Sequence, residues 1–188
     1  MVARAEAAAA TQERLLASAW RYFSERPYEL VRLADVAADA GATVQTLHLR
    51  FGKKDELFVA AWVWAIGPEG ARRDTAPVGD VRAAVRILYD SYELQGDAVL
   101  RMLAEEERIV AIHRMAEFGR AWHRGWVERT FAPLLAGLRG PARERRLVAL
   151  VVATDLLVWK LLRREMGLDR ATAERIVIEM ITSTKGAS

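Results

Sequence analysis

The densest cluster of residues able to do chemistry lies between Thr43 and Lys54, in the run TVQTLHLRFGKK. The Gln45 amide has the geometry to bond bidentately to N6 and N7 of an adenine, and Val44 offers an apolar surface to a thymine methyl. Thr43 and Thr46 add hydroxyls, His48 an imidazole and Arg50 a guanidinium. Lys53 and Lys54 stand where a helix would begin, and there the free backbone N–H groups and the helix dipole already favour an anion. Together with Arg50 they read as a small phosphate clamp. These are the tools of base and phosphate recognition, not of bond breaking. His48, His113 and His123 show no paired metal-ligand spacing with carboxylates, and the chain has no glycine-rich phosphate loop or nucleophile elbow. The absence of cysteine excludes a thiolate zinc site, a disulfide framework and a cysteine nucleophile. No enzyme activity, cofactor or metal is expected, and Glu105, Glu106 and Glu107 read as a solvated helix face.

Such a cluster works only if short helices hold it in place. Leu15, Leu16, Ala19, Trp20 and Phe23 recur at helical spacing, with Thr11 as an N-cap, and Pro27 ends this first helix. A second short helix is predicted over 33–40, closed by Gly41, and a third from Thr43 as N-cap to about Arg50. Two short helices joined by a glycine-containing turn form a helix-turn-helix, whose second helix lies in the major groove. In this unit, residues 32–51, Val36 and Ala37 face inward, Gly41 makes the turn, and Leu47 and Phe51 anchor the second helix. A fourth helix opens at Lys54 and is expected to stop at Gly67-Pro68. The stretch 67–79, with three glycines and two prolines, reads as a linker, dividing the chain into a head, 1–66, and a body, 67–188.

The body shows helical periodicity over 81–94, 98–110, 112–138, 142–166 and 172–184, punctuated at Gly96, Gly140-Pro141 and Gly167. No alternating strand pattern of useful length appears, so the fold class is all-α. The stretch 147–162 is apolar on nearly every side. It is expected to be covered by its own body on one face and by a partner on the other, the alternative being the core helix of a monomer. Asp155 inside it should be paired if buried, since an isolated buried carboxylate is costly. The same stretch is too short and too interrupted to cross a bilayer, and no membrane partner is expected. Tyr89, Tyr92, Met102, His113, Trp122 and Trp126 are candidates to line a cavity for a largely apolar or aromatic ligand.

Composition sets the frame. In 188 residues, 52% are apolar and 28% charged, the balance of a globular chain large enough to bury a real core. The net charge of +3 is not concentrated in the head: residues 1–60 hold eight basic and eight acidic side chains. Any nucleic-acid footprint is therefore local. The start, 1–10, reads as a frayed arm and not as a signal peptide, and the expected location is the cytoplasm.

The run from Leu33 to Leu57 resembles the head of the tetracycline-repressor (TetR) family, in which a tight Ala-Gly turn precedes a Ser or Thr N-cap, and a Phe, a Lys and a Leu follow the recognition helix. Gly41, Thr43, Phe51, Lys54 and Leu57 occupy those places. His48 stands where the family usually has a phosphate-contacting Tyr, Gln45 where a small residue is common, and Arg50 where a His is common. The resemblance implies a repressor that leaves a palindromic operator when a small-molecule effector enters the body. It also implies a homodimer paired through the last two long helices. A helical small-molecule-binding protein without operator recognition is the alternative.

Overall fold

The structure is a computed structural model that describes residues 2–183, with side chains from Glu6 onward. Its elements are α1 (Val2–Glu25), a short 3-10 turn (Tyr28–Leu30), α2 (Leu33–Asp39), α3 (Val44–Phe51), α4 (Lys54–Arg73), α5 (Val81–Leu103), α6 (Val110–Thr130), α7 (Ala132–Leu135), α8 (Gly140–Ala153), α9 (Leu156–Lys160, continued by a π-helical turn Leu161–Glu165) and α10 (Arg170–Ser183). Among the described residues there is no strand, and the protein is all-helical, as its periodicity predicts.

The chain forms two compact units. One comprises the residues up to Glu69 together with Ala98–Glu117, and the other Gly70–Asp97 together with the residues from Phe118 on. In the first unit Leu15, Ala19, Phe23, Val36, Leu47, Leu57, Phe58 and Ala61 are buried in one core, and Met102, Ile112 and Met115 belong to that same core. Phe23, Tyr28, Phe58 and Trp62 pack edge to face and stacked, with ring centroids 5.2 to 5.8 Å apart. The second unit buries Leu88, Tyr89, Trp126, Phe131, Leu147, Leu150, Trp159, Val177 and Ile181.

Several expected boundaries move. Residues 2–10 are helical and Thr11 lies inside α1, its Oγ1 donating to the Ala7 carbonyl at 2.8 Å instead of capping a start. Gly67-Pro68 does not end α4, which carries Pro68 in its interior and runs on to Arg73. A proline costs a helix one hydrogen bond, and tertiary contacts hold the turns beyond it. Trp126 Nε1 donates to the Arg73 carbonyl at 2.9 Å, and a Cβ at Gly70 would lie 3.4 Å from the Trp122 ring. The connection to α5 is therefore only 74–80. Gly96 likewise sits within α5. A Cβ there would fall 2.7 Å from the Trp159 ring, so the glycine serves close approach and not termination. The predicted helix 142–166 breaks at Thr154-Asp155. Asp155 is the N-cap of α9, its Oδ1 accepting from the Leu157 N–H at 2.8 Å, which gives that carboxylate its partner. The last predicted helical residue, Thr184, lies outside the described residues.

Candidate nucleic-acid interface and ligand site

The turn between α2 and α3 is built from its backbone upward. Ala42 N–H reaches the Ala37 carbonyl at 2.9 Å and Gly41 N–H the Ala38 carbonyl at 3.0 Å, with Gly41 at φ +64. This paired closure of a helix end needs a left-handed residue, which glycine adopts without a Cβ clash. Ser18 Oγ donates to the Val36 carbonyl at 3.1 Å and Arg14 Nε to the Ala40 carbonyl at 3.1 Å, tying α1 to α2. An Arg21–Asp39 ion pair at 2.5 Å adds a third tie. The Ser18 hydroxyl and the Arg21 guanidinium beside it hold the Asp39 carboxyl below the usual carboxylate range. Thr43 then caps α3, its Oγ1 accepting from the Thr46 N–H at 3.1 Å.

Leu47 is fully buried beneath α3, which turns the opposite face outward. Thr43, Val44, Gln45, His48 and Arg50 are exposed on α3 or at its start, and Thr46 is half-buried beside the cap. Leu49, left out by sequence reasoning, is 81% exposed. At 100° per residue it shares the outermost line of the helix with Gln45. The signal was present, since a leucine two residues from the buried Leu47 cannot face the same way.

His48 Nδ1 lies 2.7 Å from the Gly52 carbonyl, an acceptor only, so this nitrogen carries the proton and Nε2 of the neutral ring is left with a lone pair. Neutral His48 therefore presents an acceptor outward.

The expected clamp divides. Arg50 and Lys53 extend from an exposed edge, whereas Lys54 turns back: its Nζ sits 4.6 Å over the Tyr28 ring and 3.3 Å from the Glu29 carbonyl. Burial holds the Lys54 ammonium below the ordinary lysine pKa, against the pull of Asp55, Glu29 and Glu105. Tyr28 donates its hydroxyl to the Asp55 carboxylate and its N–H is taken by Glu105 at 3.0 Å. Glu56 Oε2 accepts from the Lys53 N–H at 2.8 Å, satisfying the first donor of α4 from within the chain. Tyr28, which sequence reasoning passed over, is thus the anchor of the α4 start.

The six candidate ligand residues do not form one group. Met102 is buried in the core of the first unit, and His113 is exposed there, 3.5 Å from Glu106 and 3.6 Å from Glu117. Helical spacing placed them beside the tryptophans, but α5 and α6 each contribute to both units. Tyr89, Tyr92, Trp122 and Trp126 lie in the second unit, the first two and Trp126 buried and Trp122 half-buried. None of them lines the open depression formed there by Gly79, Asp80, Arg82, Arg175 and Thr182.

Around three of them gathers a polar cluster. The Arg73 guanidinium lies 4.8 Å from the centre of the Tyr92 ring and 5.3 Å from that of Trp122. Tyr92 donates its hydroxyl to the Thr154 carbonyl at 2.9 Å, and His123 Nε2 meets Thr154 Oγ1 at 3.1 Å while its ring stacks on Trp126 at 5.9 Å. Burial pushes the Tyr92 hydroxyl up to about 12, although Arg73 opposes it. Burial, followed by the Arg73 charge, pushes His123 down to about 4, so its ring is neutral at physiological pH.

A capped α3 with an outward polar face, seated on α1 and α2, defines a helix-turn-helix protein of the DNA-binding class. Residues 15–61 match the model of the bacterial regulatory proteins of the tetR family, so the head of this chain is similar to the head of that family. No curated protein matches the chain in sequence. Three solved structures share its fold. A Pseudomonas aeruginosa PAO1 protein assigned as a transcriptional regulator is 18% identical, with a TM-score of 0.72 over 92% of this chain and 88% of its own. A Rhodococcus sp. Rha1 transcriptional regulator is 18% identical, with a TM-score of 0.68 over 91% and 94%. A TetR-family regulator from Streptomyces coelicolor A3 is 19% identical, with a TM-score of 0.55 over 93% and 94%. At these identities the likeness is one of fold.

Proposed function

We propose that the protein reads a palindromic operator as a homodimer and represses until a small-molecule effector enters the body, residues 67–188, and releases the head, residues 1–66. The observation that carries this reading is the outward face of α3. Gln45, His48 and Leu49 present an amide, an imidazole acceptor and an apolar contact together, flanked by Thr43, Val44 and Thr46. Arg50 and Lys53 supply phosphate contacts at the edge, while Lys54 orders the α4 start through Tyr28. Support for the dimer comes from an apolar face on the second unit. Val148, Val152, Leu157 and Leu161 are exposed along α8, α9 and its continuation, with Val152 at 53% and Leu157 at 62%, and Met180 is exposed on α10. An isologous pairing of these helices would cover that face.

The test is selection of bound duplexes from a random pool by gel shift, with the full chain. An enriched palindrome with half-sites about one helical turn apart is expected. If the pool emerges unchanged at low salt, and the Arg50→Ala and Lys53→Ala variants retain bulk DNA like the parent, operator recognition is excluded and a ligand-binding protein without it remains.

A further inference from the structure

Arg73 and His123, each 8% exposed, are two groups of the second unit that stand side by side and incompletely matched, as the Tyr89 hydroxyl and Arg146 Nη1 are elsewhere in it. The Arg73 guanidinium lies against the faces of Tyr92 and Trp122 and hydrogen-bonds the Tyr92 hydroxyl, a neutral partner, and among the described residues it forms no ion pair. Aromatic faces attract a cation but supply no counter-charge, and a buried charge is ordinarily paired. The second gap is at His123. Thr154 Oγ1 gives its one proton to the Leu150 carbonyl at 2.8 Å, so it accepts from His123, and the ring's proton sits on Nε2. Nδ1 of the neutral ring is then a bare acceptor, and it is buried without a hydrogen-bond partner. Thr154 fixes both His123 and Tyr92, so the unpaired cation and the unpaired acceptor belong to one cluster walled by Tyr92, Trp122 and Trp126. Trp122, half-buried, is its outer wall.

We propose that this cluster is the effector site and that it takes an aromatic carboxylate carrying a hydroxyl or N–H donor: the carboxylate pairs with Arg73, the donor meets His123 Nδ1, and the ring stacks among the aromatic walls. The proposal rests on the effector reading above and narrows it from an apolar or aromatic molecule to an acid. Arg73 closes α4, the helix that Lys54 opens, so the residue that would hold the acid and the residue that orders the edge of the head share one element.

The experiment is thermal melting of the full chain with 4-hydroxybenzoate, salicylate, 4-hydroxyphenylacetate and indole-3-acetate, each against its amide, repeated on Arg73→Met and His123→Phe. At about 10 mM ligand, at least one acid is expected to raise the melting temperature by about 3 °C or more while its amide does not. Arg73→Met is expected to melt no lower than the parent and to lose the shift, and His123→Phe to weaken binding about tenfold, as for a lost buried hydrogen bond. The proposal is overturned by the absence of a shift with every acid, by equal shifts with the amides, by a shift retained in Arg73→Met, or by an Arg73→Met protein that melts well below the parent. Release of a labelled operator duplex separates the two readings. Neutral amides that bind and release DNA leave the effector reading standing and remove the acid, whereas an acid that binds without releasing DNA keeps the site and removes the effector reading.

Discussion

At the scale of single residues, the proposed function has α3 separate bases from phosphates. Gln45→Ala and Leu49→Ala are expected to cost about 1–3 kcal/mol of operator binding each and to relax the preference at the bases they touch, leaving binding to random DNA unchanged. Fluorescence anisotropy on matched and scrambled duplexes measures the difference. Arg50→Ala and Lys53→Ala should weaken all duplexes alike and reduce the slope of log K against log salt by about one each. Lys54→Ala should leave that slope alone, because its ammonium is spent on Tyr28 and the Glu29 carbonyl. A slope change for Lys54 equal to that of Lys53 would contradict the division of the clamp. The Nδ1 proton of His48 is committed to the Gly52 carbonyl, so the neutral ring offers Nε2 as an acceptor.

At the scale of elements, the helix-turn-helix was legible because short-range rules govern it. Gly41 is where a left-handed residue must be, Thr43 is where an oxygen must meet a free N–H, and Leu47 marks the inner face. Gly41→Ala should cost about 1 kcal/mol, from backbone strain alone, since a Cβ there meets no atom within 4 Å. Thr43→Ala should cost about the same through the lost cap. Gly96→Ala is expected to be the severest glycine change, because its Cβ would press on the Trp159 ring and overpack the core by about 1–3 kcal/mol. Chemical denaturation of the three variants orders them. What sequence did not disclose was set by distant partners. Pro68 and Gly70 read as a stop until Trp122 and Trp126 are seen to hold the turns that follow. Gly96 reads as punctuation until Trp159 is placed against it. Met102 and His113 share helical spacing with the ligand candidates, yet Met102 packs in the first unit's core and His113 lies exposed beside Glu106 and Glu117.

At the scale of the molecule, the proposed dimer pairs through the apolar face of α8 and α9. Leu157→Glu combined with Val152→Glu should convert a dimer to a monomer by light scattering, without unfolding it, because both side chains are exposed in the single chain. A monomeric parent would remove that reading. The core of the first unit carries a further consequence. Met102, Ile112 and Met115 pack with Leu15, Phe23 and Phe58, so the recognition unit is completed by chain that follows it by some forty residues and more. Ile112→Ala should lower stability by about 2–4 kcal/mol and abolish operator binding on warming, though it touches no base. The reading head is thus not a detachable cassette. A hybrid built for a biosensor by joining residues 1–66 to another receptor would leave its own keystone behind, and a graft that carries residues 98–117 as well is the one to build.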